Sequence, residues 1–437
     1  MVIYNAYIPC LGGVGYVVIE GEHIKSVSLG EPSCRDCHGR AVDARGMTIL
    51  PGAIDIHVHF REPGMTHKAT MATESRAALA GGVTSFVDMP NTTPRTVDMD
   101  TLYAKMDIAG RASVANYGFY IGATGDNLSL FPTLDYSEVA GVKLFMGSST
   151  GGMLLDSDYE LSQLFDSVPR DIVITVHAED NAVIAEALER VKARYGQEPP
   201  VWTHTLIRPA EACVRATERV MNIASRYGAR LHVAHVSTAA EMSLFDKGDI
   251  TGKRITCEVS PHHLLWCDQD YATRGARIKM NPAVKSTYDR EALRQGVLDG
   301  RVDVIATDHA PHLLSEKQGS ALTAVSGAPM VQFSVPAMLD MFGCEIVERL
   351  MAANPACLLG IQGRGRLAPG MSADLVLVDT DSSHVVTDND VVSLCGWTPL
   401  GPDTVLNHRV VSVMINGRFT DDGSRAYPLV FKRTGTA

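Results

Sequence analysis

Hydrophobic residues in this chain gather in short runs, several with a polar or ionisable residue at or near the end, alternating with stretches of helical spacing. The runs fall at residues 54–60, 84–89, 115–122, 141–146, 172–177, 230–235, 255–259 and 302–307. They are rich in Val and Ile with little polar alternation, as strands covered on both faces require. Helical period marks 70–80, 101–109, 181–195, 209–227 and 288–298. Strand–helix alternation predicts an α/β fold. Eight such units suit a closed (β/α)8 TIM-like barrel better than the alternative, an open doubly wound sheet.

The two ends follow another pattern. Residues 1–50 read as short strands broken by glycines and charged turns, and 374–378 and 410–415 are again strand-like among Asp, Asn and Gly turns. The expected organisation is a barrel over 51–360 and a small β-sandwich domain formed from both termini, 1–50 plus 361–437.

Length and composition support this division. A chain of 437 residues is too long for one ordinary core, and 45% hydrophobic with 20% charged residues is a globular composition. The net charge of −11, without a basic run, argues against a nucleic-acid partner. No run of about 18 apolar residues predicts a membrane span, and the N-terminus has neither the basic start nor the unbroken apolar stretch of a signal peptide. Nine scattered cysteines fit a reduced, cytoplasmic setting. Cys34-Arg35-Asp36-Cys37-His38 has the c-type haem attachment spacing. Attachment would need export, which nothing supports, so an incidental surface loop is the expected reading, ahead of a redox or metal pair.

The ends of the predicted strands carry the chemistry. In Asp55-Ile56-His57-Val58-His59-Phe60, His57 and His59 are two apart and share one strand face. Facing a barrel lumen, two neutral imidazoles can bind one divalent metal. His177 ends the fifth run, His235 the sixth, and Asp308 follows the eighth. Alone, each is equally a hydrogen-bonded strand terminus. Together they occupy the rim where barrel active sites sit. Lys143 lies near the end of the fourth run. Spacing leaves open whether it is an ordinary rim lysine or a neutral amine that reacts with CO₂ to give a metal-bridging carbamate.

Two longer motifs add a resemblance. His57-Val58-His59-Phe60-Arg61-Glu62-Pro63-Gly64 and Thr307-Asp308-His309-Ala310-Pro311-His312 are similar to the paired signatures of dihydroorotases, in the amidohydrolase superfamily. Pro51-Gly52, Met89-Pro90-Asn91-Thr92, Arg366-Leu367 and Ala373-Asp374-Leu375-Val376 also fit, so the resemblance spans essentially the whole chain. It implies two Zn²⁺ per subunit, bridged by carboxylated Lys143 and hydroxide. His57, His59 and Asp308 would hold the more buried ion, and His177 and His235 the other. Arg61 and Asn91 would grip a substrate carboxylate, His312 would complete that pocket, and Asn281 would contact the ring. The pair His262-His263 would play a supporting or structural part.

The implied reaction is reversible ring opening and closing between L-dihydroorotate and N-carbamoyl-L-aspartate, with Asp308 carrying the proton. The partner is then a small molecule, and a homodimer is the expected assembly on base rates. Residues 313–327 would be a mobile lid or a plain exposed loop. Some dihydroorotases use an aspartate after the fourth strand; here Gly147-Ser148-Ser149-Thr150-Gly151 supplies no acid, which favours the carbamate. Allantoinases and hydantoinases are the nearest rivals. Hydantoinase-like enzymes typically place a tyrosine near Ser148 and lack Arg61. A catalytically dead pathway scaffold is the rival from another class, but such proteins lose metal ligands, and all six are retained here.

Overall fold

The computed structural model describes residues 1–33, 39–147, 153–401 and 403–432. The Cys34–His38 cluster and residues 148–151 after the fourth run lie outside the described residues. Eight parallel segments form the barrel wall: β1 (Ala53–Val58), β2 (Val83–Asp88), β3 (Asn116–Phe119), β4 (Val142–Met146), β5 (Val173–Ala178), β6 (Arg230–Val233), β7 (Ile255–Val259) and β8 (Val304–Ile305). The third run divides at Tyr120. Asn116–Phe119 pairs with β2, while Ile121–Gly122 continues onto β4. Closure between β8 and β1 is made by a bridge, Val58 to His309, with His59 N donating to His309 O at 2.7 Å.

Local chemistry starts the helices between these strands. Thr70, Asp98, Ser157 and Ser286 each form a reciprocal capping box, ahead of Met71–Ala80, Met99–Ala112, Asp158–Ser167 and Thr287–Leu298. Ala210–Tyr227 buries Cys213, Ala216, Thr217, Val220, Ile223 and Ala224, one stripe at helical spacing. It stops at Gly228, whose left-handed φ of 60° ends the helix.

Strands from both chain ends form one eight-stranded sheet. Its order runs from Arg418–Phe419 through Arg409–Ile415, Leu375–Asp379, Thr48–Pro51, Val2–Ile8 and Gly13–Glu20 to His23–Leu29, with Ala41–Asp43 beside Val2–Ile8. Ile3, Ile19, Ile24, Leu375, Met414 and Phe419 share one buried cluster although they come from strands across the whole sheet. The sheet therefore folds over on itself. Its hairpin turn at Gly21–Glu22 meets the opposite end, where Ala373 N donates to Glu22 O at 2.8 Å and a Cβ on Gly417 would fall 2.2 Å from Gly21 O.

Thr48–Pro51 runs directly into β1 through Gly52, where any Cβ would lie 2.1 Å from Thr84 Oγ1. Small sheet and barrel are thus joined by a close packing step rather than a loose linker. Among the described residues, no helix is long and apolar enough to cross a membrane.

Candidate active site

The C-terminal ends of the barrel strands surround a cavity of about 420 Å³. The ten residues expected as metal ligands or substrate contacts line it: His57, His59, Arg61, Asn91, Lys143, His177, His235, Asn281, Asp308 and His312. Met65, Lys68, Lys279 and the 322–327 segment complete the wall.

β1 and the residue that follows it present His57 and His59 to one side, as the alternation requires. Their Nε2 atoms stand 3.4 and 3.2 Å from Asp308 Oδ1, and candidate ligand atoms of the three residues lie within 4.8 Å of one another. Each imidazole is steered from behind: His57 Nδ1 bonds Glu258 Oε1, and His59 Nδ1 bonds Asn91 Oδ1 at 2.8 Å. Burial lowers His59 to about 4 despite the pull of Asp308. Burial opposes the charge on Asp308, yet His57 and His59 outweigh it and hold the carboxyl well below its usual range. Unprotonated His59 and ionised Asp308 are ligand forms.

A second pair stands alongside. His177 Nδ1 and His235 Nε2 are 2.9 Å apart, and the other His177 nitrogen contacts Glu179 Oε2 at 2.9 Å. Burial, then His177, depresses His235 well below the ordinary histidine value. The His57 and His235 ring centroids are 5.3 Å apart, so the two groups share one space.

Lys143 is buried among them, and its Nζ has no hydrogen-bond partner among the described residues. Burial pushes the amine down to about 8, against Glu258 and Asp308, which favour the charge. An orphaned amine beside four imidazoles and an aspartate makes this donor set fit for divalent cations, with Lys143 available for carboxylation.

Three non-glycine residues of the site have left-handed backbone: Arg61 (φ 66°), His235 (φ 38°) and Asp308 (φ 46°). Such conformations are costly and gather where geometry is imposed for function. Arg61 is buried, with Nε donating to Pro311 O at 3.0 Å and Nη2 lying 2.9 Å from His312 Nε2. Asn281 Oδ1 accepts from Arg208 Nε at 2.9 Å and contacts His204 Nε2 at 3.1 Å. His263 Nε2 contacts Pro282 O, a structural role, while both ring nitrogens of buried His262 lack hydrogen-bond partners among the described residues.

Segment 313–327 is tied down rather than merely exposed. Buried Lys317 donates to the carbonyls of Lys279, Val325 and Gly327 at 2.7–2.9 Å. Sequence reasoning did not single out Glu258, Glu179 or Lys317. An acid two residues beyond Thr256 in an apolar strand was a readable sign for Glu258; the partners it reaches in other strands were not.

The family model for the amidohydrolase family matches residues 48–420. A dihydroorotase of Halobacterium salinarum is 40% identical over 358 residues, 80% of this chain and 81% of its own length. A dihydroorotase of Methanosarcina mazei is 34% identical over 406 residues, covering 90% and 88%. An allantoinase of Rubrobacter xylanophilus is 33% identical over 398 residues, covering 88% and 86%. Among solved structures, L-hydantoinase of Arthrobacter aurescens superimposes with a TM-score of 0.88 at 24% identity, covering 99% and 97%, a likeness of fold. Matched along most of its length by the family model and by dihydroorotases, this chain belongs to the amidohydrolase family.

Proposed function

We propose that this chain is a dihydroorotase, interconverting L-dihydroorotate and N-carbamoyl-L-aspartate as a cytoplasmic enzyme of de novo pyrimidine biosynthesis. The observation that carries the reading is Arg61, a buried guanidinium in the same cavity as the histidine cluster. Burial lowers it only to about 10, so it stays charged. A ring bearing a carboxylate pairs with that charge, whereas an uncharged cyclic amide leaves it desolvated and unpaired.

His57, His59 and Asp308 would hold one zinc, His177 and His235 a second, and carboxylated Lys143 would bridge them. Ions held there would supply polarisation of the ring carbonyl and a water whose pKa is brought toward neutrality. Arg61, Asn91 and His312 orient the substrate through its carboxylate, and Asn281 contacts the ring. Asp308, ionised and within reach of both His57 and His59, takes the proton of the attacking water and passes it to the departing ring nitrogen. Ring closure uses the same groups in reverse. We assign this chemistry to a barrel over 51–360, supported by a β domain of 1–50 plus 361–437, in a homodimer.

The test is ultraviolet absorbance loss of L-dihydroorotate with zinc-loaded protein. Turnover that His59→Ala abolishes is the expected result. Inert dihydroorotate with turnover of allantoin or dihydrouracil would discard the substrate assignment and leave the family intact.

A further inference from the structure

His312 sits between two cations. Its Nδ1 is 3.0 Å from Lys68 Nζ, and its Nε2 is 2.9 Å from Arg61 Nη2. Ammonium and guanidinium groups only donate, and a neutral imidazole has one acceptor nitrogen. Both contacts cannot be hydrogen bonds at once. An imidazolium would have no acceptor at all, and burial with Arg61, Lys68, Lys317 and His59 nearby keeps the ring neutral. The nearest anion does not change this. Glu316 Oε2 is 3.7 Å from Nδ1, too far for a hydrogen bond, and Glu316 is engaged by Lys68 Nζ at 2.7 Å and Leu313 N at 2.9 Å.

We propose that Lys68 is a positioning residue for substrate binding: it donates to His312 Nδ1, fixes the Nε2–H tautomer, and so makes His312 a donor beside Arg61. Glu316 holds the ammonium in place for this. Two donors then face each other across 2.9 Å with no acceptor between them. An anionic oxygen that accepts from both removes the conflict, so the pair is preset for a carboxylate. The ring cannot readily turn away. Trp397 Nε1 donates to His312 O at 2.7 Å, and Gly327, at φ 128°, packs so closely that a Cβ there would lie 3.0 Å from His312 Cδ2. Only the identity of the anion rests on the dihydroorotase reading.

Nitrogen-15 NMR of histidine-labelled protein, with His312 assigned by comparison with His312→Gln, reads the tautomer directly. Wild type should show Nε2–H. In Lys68→Met, Arg61 becomes the only donor, and the ring should change to Nδ1–H. That variant should raise KM for dihydroorotate about 10- to 100-fold, the worth of a charge-assisted hydrogen bond, with kcat little changed. Lys68→Gln, which keeps a donor, should recover the tautomer and much of the KM. Nδ1–H in the wild type, or an unaltered tautomer in Lys68→Met, overturns the proposal. A kcat loss without a KM change does so as well. If the tautomers behave as expected but wild type does not turn over dihydroorotate, the substrate reading falls and the role of Lys68 stands.

Discussion

His177 Nδ1 and His235 Nε2 face each other across 2.9 Å, from the end of β5 and the residues just after β6. With Nε2–H of His177 donating to Glu179 and both rings held neutral by burial, the facing nitrogens can offer lone pairs to one cation. We predict two equivalents of zinc by elemental analysis, falling to one or fewer in His177→Ala. Zinc added to chelated protein should raise Tm, by the equivalent of about 2.7 kcal/mol at a hundredfold excess over Kd. Full zinc content in the variant would contradict this.

Glu258 bonds both His57 Nδ1 and His232 Nε2, the latter at 3.2 Å. Burial opposes its charge, but His57 and His232 overcome that and keep it ionised. Glu258→Gln keeps the shape and loses the charge, so zinc affinity should fall about 10- to 100-fold in competition with a chromogenic chelator. An unchanged affinity would show that Glu258 does not orient His57.

Lys143 supplies a pH prediction. Its amine, lowered to about 8 by burial, is mostly protonated at pH 6 and about half neutral at pH 8. Only the neutral form attacks CO₂. At equal dissolved CO₂, metal-free protein prepared without CO₂ should therefore form the carbamate faster at pH 8 than at pH 6, read as a carbon-13 carbamate signal after labelled CO₂ is added. The signal should be missing from Lys143→Ala. Equal rates at both pH values would count against the neutral-amine route.

Behind β1, Lys105 Nζ lies 2.5 Å from Asp88 Oδ2, both fully buried, and Asp88 Oδ1 accepts from Phe60 N at 2.6 Å. This pair clamps the end of β2 to the residue beside His59. Lys105→Met leaves a buried carboxylate without its cation, and should cost about 3–5 kcal/mol in urea unfolding. A loss under about 1 kcal/mol would show that the Lys105–Asp88 pair does not hold this strand end together.

Much of the barrel was legible because buried parallel strands are near-continuous apolar runs. The runs overstate some strands for a physical reason. The sixth and eighth were expected to reach His235 and Thr307, but their ladders stop at Val233 and Ile305. The chain then turns to the left-handed conformations of His235 and Asp308. Helix Val331–Glu348 gave no amphipathic signal because Val331 and the stretch from Phe333 to Leu339 are buried all round, and Pro336 and Gly343 interrupt it. Period-two spacing exposed His57 and His59, and position at the ends of the runs exposed Lys143, His177, His235 and Asp308. The supporting acid Glu258 was hidden because it acquires its partners through folding, across 201 residues in the Glu258–His57 pair, whereas Glu179 stands only two residues from its partner His177 and was overlooked.

The central claim is tested most directly by kcat/KM for L-dihydroorotate against dihydrouracil, the same ring without the carboxylate, in zinc-loaded wild type and Arg61→Met. Wild type should prefer dihydroorotate strongly. The variant should lose about 10- to 100-fold on dihydroorotate and little on dihydrouracil. Equal use of both rings by the wild type, or an equal loss on both in Arg61→Met, would contradict the assignment of Arg61 and with it the dihydroorotase reading.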